Sequence, residues 1–97
     1  MMHSYVVETL EGLVPEKIKV RRSRDEGEFL FVRGRDKKIL VLNPTAREIY
    51  NLCDGRTVAQ VVKVMCSNYP DIKREKMTLD ALKFLRSMEA SGLVVLK

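Results

Sequence analysis

The spacing of apolar and polar positions divides the chain into a strand-forming first half and a helix-forming second half. The run 17–21 (KIKVR) alternates strictly, which predicts a strand with Ile18 and Val20 facing inward and the lysines in water. Asp25, Glu26 and Gly27 predict a turn, and residues 28–33 (EFLFVR) a second strand. A second polar turn over 34–37 leads to a third strand at 38–42 (KILVL). Short, Gly-containing turns between such runs predict an antiparallel meander. The second and third strands are apolar on both faces. An antiparallel sheet ordinarily shows water one polar face, so both faces here need cover. Helices can take one side. The other side, or an edge, is left for the N-terminal segment, a second copy of the chain or a ligand.

The pattern then changes to helical. Asn43 is a good N-cap, and Pro44 suits the first helical position because its missing N–H would be unpaired there. Ala46, Ile49, Tyr50 and Cys53 form the stripe of this first helix, which closes on Asp54-Gly55. Thr57 with Gln60 predicts a capping box for a second helix with Val58, Val61, Val62, Met65 and Cys66 inward, ended by Tyr69-Pro70. Asp71 is the expected cap of a third helix that runs to about Ser91 and stops at Gly92. Met77, Ala81, Phe84 and Met88 cluster on one side of it, with Leu85 at the margin. Leu79 and Leu82 fall roughly 200° and 140° from Met77, with Arg86 between them. Those two leucines are either scattered surface residues or one wall of a groove. Residues 93–96 predict a short strand or an extended tail.

The fold class that follows is α+β, a three-stranded antiparallel sheet followed by three helices. Residues 15–97 form the domain, and 1–14 an N-terminal arm set off by Gly12 and Pro15. The arm's form is open between a short strand, a helical turn and a free segment.

Composition adds three constraints. With 97 residues and 45% hydrophobic content, one domain with one core is expected. Aromatics are only 6% and Trp is absent, so the core is aliphatic and stacking on nucleic-acid bases has little to work with. The net charge of +5 is concentrated: residues 17–38 hold nine Lys/Arg against four Asp/Glu, and the remainder nets zero. A localised basic surface suits an acidic partner, and is equally a solvated face. Cys53 and Cys66 lack metal-ligand spacing and read as free thiols in a reducing, cytoplasmic setting. No run approaches the ~20 apolar residues that span a bilayer, and the first residues do not have a signal-peptide pattern.

Catalytic chemistry is not visible. The single His3 lies in the arm, the five glycines are isolated in turns, and no carboxylate pair sits in apolar surroundings. The expectation is a protein that is not an enzyme, with no catalytic, cofactor-binding or metal-binding residues.

Three runs carry a family resemblance. Residues 40–55 (LVLNPTAREIYNLCDG) resemble the PqqD hallmark, a strand ending in Leu-Asn that leads into a helix closing on Asp-Gly. Residues 56–70 (RTVAQVVKVMCSNYP) resemble that family's second helix, and 84–94 (FLRSMEASGLV) its third helix with the Gly-Leu stop. The resemblance spans residues 15–96 in order. It implies a winged-helix-like RiPP recognition element, a peptide chaperone that binds the leader segment of a ribosomally made precursor and presents it to a radical S-adenosylmethionine maturase. The setting is pyrroloquinoline quinone (PQQ) or related modified-peptide biosynthesis. In the family the leader adds as a strand beside the third strand, against the third helix. Carried to this sequence, the edge is Lys38, Ile39, Leu40, Val41 and Leu42. The opposite wall is Leu79, Leu82, Lys83 and Arg86, with Leu85 at the base. Lys37, Lys38 and Arg86 then favour acidic peptide residues.

Two rival readings stand beside this one. A winged-helix DNA-binding transcriptional regulator would use Lys73, Arg74, Lys76, Lys83 and Arg86 on phosphate. Against nucleic acid, the basic excess lies in the sheet, and the five residues after Gly92 are too few for a β-hairpin wing. An interaction module without a peptide ligand, including a homodimer formed through the two-faced strands, is the third.

Overall fold

The computed structural model describes residues 10–18, 22–33 and 39–97. Its elements run β1 (Pro15–Lys17), β2 (Arg22–Glu26), β3 (Phe29–Arg33), β4 (Ile39–Leu42), α1 (Pro44–Asn51), α2 (Val58–Asn68), α3 (Arg74–Ala90) and β5 (Val94–Leu96). Strands β2, β3 and β4 form an antiparallel sheet in that order, and the helices follow it. The class is α+β.

The first strand of this sheet is not where the alternation placed it. The segment Pro15–Lys17 instead pairs with β5 in a separate two-stranded ribbon, and residues 19–21 lie outside the described residues. The meander begins at Arg22, so Asp25 and Glu26, expected in a turn, are strand residues. Backbone pairing decides this. Gly27 takes φ 66, a left-handed conformation open to glycine at little cost. That value suits the first corner of a two-residue hairpin loop, Gly27-Glu28. Glu26 is thereby set opposite Phe29, and pairing runs back to Arg22 opposite Arg33.

The register sorts the side chains. Leu30 lies opposite Leu42 and Val32 opposite Leu40, so these four share the face that meets the helices. Phe31 lies opposite Val41 and Arg33 opposite Ile39, on the other face. Asp25 pairs across from Leu30 on the helix side, where the Arg47 guanidinium of α1 grips its carboxylate and also donates to the Gly27 carbonyl at 2.9 Å. That clasp ties the hairpin to α1 and holds the Asp25 carboxyl below the usual carboxylate range.

The helix boundaries follow the sequence closely at four of their six ends. The Asn43 side chain accepts from the Ala46 N–H at 2.8 Å, with Pro44 at the first helical position. Thr57 and Gln60 form the reciprocal capping box of α2. Helix α2 stops at Tyr69. Helix α3 ends in a Schellman arrangement, with Gly92 at φ 76, its N–H donating to the Glu89 carbonyl and the Leu93 N–H to that of Met88. Asp71 does not cap α3. It lies in a preceding turn closed by the Ile72 N–H donating to the Tyr69 carbonyl, and the cap is Lys73, which makes no side-chain cap bond. The half-buried Ile72, between Asp71 and Lys73, packs on the core.

The core is aliphatic and sulfur-rich. Ile49, Val58, Val61, Val62, Met65, Met77, Leu85, Met88, Leu93 and Val32 are all essentially inaccessible. Helix α3 is buried over a wider arc than its sequence stripe. Met77, Met88, Ala81, Leu85, Thr78 and Leu82 are buried, and they cover about 140° of its circumference. Leu82, expected outside the core, is 8% exposed, whereas Phe84, expected inside it, is half-buried. The arc is wide because α3 packs against α1, α2 and β5 together.

Residues 10–14 are joined to this body. Val14 and Lys97 exchange backbone hydrogen bonds at 2.9 and 3.0 Å, and the Val58 N–H donates to the Leu13 carbonyl at 2.8 Å. Glu11 pairs with Arg74 at 3.6 Å. Among the described residues, no helix is long and apolar enough to cross a membrane.

Candidate functional site

Among the described residues, strand β4 is an edge and pairs with β3 alone, so one side of its backbone has N–H and C=O groups available to another strand. The opposite edge, β2, has the sequence RSRDE, and charged residues discourage strand addition. The β4 edge has ILVL, with Ile39 58% and Val41 48% exposed. An apolar edge left open in a folded protein is a docking edge or an aggregation site.

A cleft runs beside this edge. Its volume is about 140 Å³. Leu40, Val41 and Leu42 form one wall, Phe84, Ser87 and Met88 of α3 the other, and Asn43 with Ala46 close the end. The α1 cap sets this geometry. Asn43 turns the chain sharply from β4 into α1, and Ala46 is small enough to leave space between strand and helix.

The residues expected to form the site are divided between two places. Ile39, Leu40, Val41 and Leu42 lie on the β4 edge as expected, and Lys38, with Lys37, lies outside the described residues. Leu79, Leu82, Lys83 and Arg86 line a larger groove of about 890 Å³ on the neighbouring face of α3, together with Leu10 from the N-terminal segment. Leu85 lines neither, being wholly buried in the core. The two hollows flank one exposed arc of α3, because Lys83 and Ser87 are one turn apart on the same side. Phe84, Ser87 and Met88 went unassigned to the site because periodicity places Phe84 and Met88 with the core. They lie further round the helix than Leu79, Leu82, Lys83 and Arg86.

Electrostatics around both hollows is mixed with a basic margin. Lys76 pairs with Asp80 at 2.9 Å and Arg86 with Glu89 at 3.4 Å. Lys73 and Lys83 have no ion pair among the described residues. Lys83 lines the groove with Asp80 one turn before it.

No group of three or more His, Cys, Asp or Glu gathers among the described residues in a way that would hold a metal ion. Cys53 is buried and its thiol donates to the Ile49 carbonyl at 3.2 Å. Burial pushes that thiol up to about 11, which leaves it protonated and unreactive at neutral pH. Cys66 is half-buried, and both thiols are free.

A family model described as Coenzyme PQQ synthesis protein D (PqqD) matches residues 25–94. The chain belongs to the PqqD family. No curated protein and no solved structure matches it. The matched span begins in β2 and ends in β5, so it contains the β4 edge and the α3 residues of both hollows and leaves the N-terminal segment, with Leu10, outside.

Proposed function

We propose that this PqqD-family chain binds the leader segment of a ribosomally synthesised precursor peptide as an added strand on β4, and presents it to a radical S-adenosylmethionine maturase in PQQ or related modified-peptide biosynthesis. The chain acts as an accessory protein, not as the catalyst. The observation that carries this reading is the open apolar edge of β4 lying directly beside a cleft walled by α3.

Strand addition explains why both features occur together. Main-chain hydrogen bonds along Ile39–Leu42 supply affinity for an extended peptide. Side chains of an added strand alternate, so every second one points to the helix side of the sheet, into the cleft against Phe84 and Met88. Lys83, and beyond it Leu79 and Arg86, meet the peptide where it leaves the cleft, which selects acidic residues there.

The test is a titration of a fluorescent acidic leader peptide, taken from a short open reading frame beside this gene, followed by anisotropy. Random duplex DNA is titrated in parallel at two salt concentrations. Saturable peptide binding with weak DNA binding is the expected result. Tight DNA binding with a steep salt slope and no peptide binding contradicts the reading and favours a DNA-binding protein.

A further inference from the structure

The outer face of the sheet, away from the helices, has no partner among the described residues. Phe29 is 44% exposed, Val41 48% and Ile39 58%, and Phe31 lies between them, half-buried beneath the Arg24 guanidinium at 5.2 Å from its ring centre. The register makes these one patch. Arg24, Phe31 and Val41 form one row across three strands, and Arg33 lies opposite Ile39 in the next. A hollow of about 210 Å³ opens between Arg24, Phe31, Arg33 and Ile39. Contiguous apolar area with a charged rim marks an interaction surface, and here Arg24 and Arg33 border the hollow.

We infer that this outer face docks the peptide-modifying enzyme, through an acidic surface of that enzyme that carries exposed apolar side chains. The inference rests on the strand-addition reading proposed above. Two features select this occupant. In a two-fold contact with a second copy, this arginine-bearing patch would face the same arginine-bearing patch; an acidic partner is complementary instead. Position is the other. Ile39 and Val41 belong both to this face and to the β4 edge. A peptide strand added there lies about 4.8 Å from β4. Its side chains that do not enter the α3 cleft then extend the outer face. An enzyme seated on Phe31 and Val41 thus contacts the peptide's outward side chains directly, while the cleft holds the others.

The experiment uses the full chain, the leader peptide and the radical S-adenosylmethionine enzyme encoded with it, titrated separately by calorimetry. Arg33→Glu is the principal variant, since Arg33 is exposed, and Phe29→Ser the second. The inference requires enzyme affinity to fall about tenfold or more in both while peptide affinity stays within about twofold. Circular dichroism checks the fold, and if Phe29→Ser does not fold, Arg33→Glu decides. Unchanged enzyme affinity overturns the inference, as does failure of the unmodified chain to bind the enzyme. It is equally overturned if the variants lose self-association or binding to anionic vesicles with enzyme affinity unchanged. Should the peptide alone fail to bind, the strand-addition reading falls, and the enzyme titration still reports on this face by itself.

Discussion

Leu79 and Leu82 stand three residues apart on α3, and the structure gives them different surroundings. Leu82 is 8% exposed and belongs to the core, whereas Leu79 is 41% exposed on the rim of the groove. Truncation to Ala should separate them. Removing a buried leucine side chain loses its transfer energy and leaves a cavity, about 2–5 kcal/mol in all. Leu82 has an open groove on one side into which neighbours and water can relax, so the lower part of that range, about 2–3 kcal/mol, applies. Leu79 has already kept a large part of its surface in water, and its truncation should cost about 1 kcal/mol or less. For a domain of this size, 1 kcal/mol is about 4–8 °C in melting temperature. Leu82→Ala should therefore melt about 10–20 °C lower than the parent and Leu79→Ala within about 8 °C of it. Thermal unfolding followed by circular dichroism measures both melting temperatures, and urea unfolding the free energies. Equal losses, or a larger loss at Leu79, would refute the wide buried arc of α3. The same contrast governs binding studies: Leu79 is the position at which a substitution reports on the groove, because a polar residue at 82 disrupts the core as well.

Other outcomes follow from the same structure. Gly27→Ala should destabilise the β2–β3 hairpin by about 1 kcal/mol in urea unfolding, because φ 66 strains an L-residue even though no atom stands within 4 Å of the added Cβ. Cys53 has its folded pKa raised above the ordinary thiol value of 9.0 to about 11 by burial. The folded state therefore keeps its proton longer than the unfolded state, so the associated stability is intact below pH 9 and is lost as pH rises toward 11. Stability measured from pH 8 to 11 should fall less in Cys53→Ala than in the parent, and equal slopes would contradict this. A thiol reagent at pH 7.5 should label the half-buried Cys66 well before Cys53.

Much of the fold was legible locally. Asn43-Pro44, the Thr57–Gln60 box and the Gly92 stop are short-range signals, and each forms the contact its chemistry predicts. The strands β3 and β4 were visible as apolar runs with β-branched and aromatic residues. Strand β2 was not, because RSRDE has no apolar alternation and is made a strand by the hairpin register and by the Arg47 grip on Asp25. The ribbon of β1 with β5 joins segments near opposite ends of the chain, and no local pattern encodes such a pairing. Of the candidate site, β4 was legible as an apolar run; the residues expected to face it line the larger groove, and Phe84, Ser87 and Met88 stand beside β4 from further round the helix. A single period can place a residue on a face, but α3 has two hollows beside one exposed arc, and only the packing of α1 and β4 shows which of them adjoins the strand.

The central claim, a peptide strand on β4 with side chains in the α3 cleft, is tested most directly by filling that cleft. Ser87 is exposed on a regular helix and lines the cleft wall, so Ser87→Trp adds bulk comparable to the cleft of about 140 Å³ without entering the core. Leader-peptide affinity measured by anisotropy should weaken at least about tenfold, roughly 1.4 kcal/mol, while the melting temperature is retained. Full peptide affinity in a folded Ser87→Trp variant would contradict the placement of the peptide between β4 and α3.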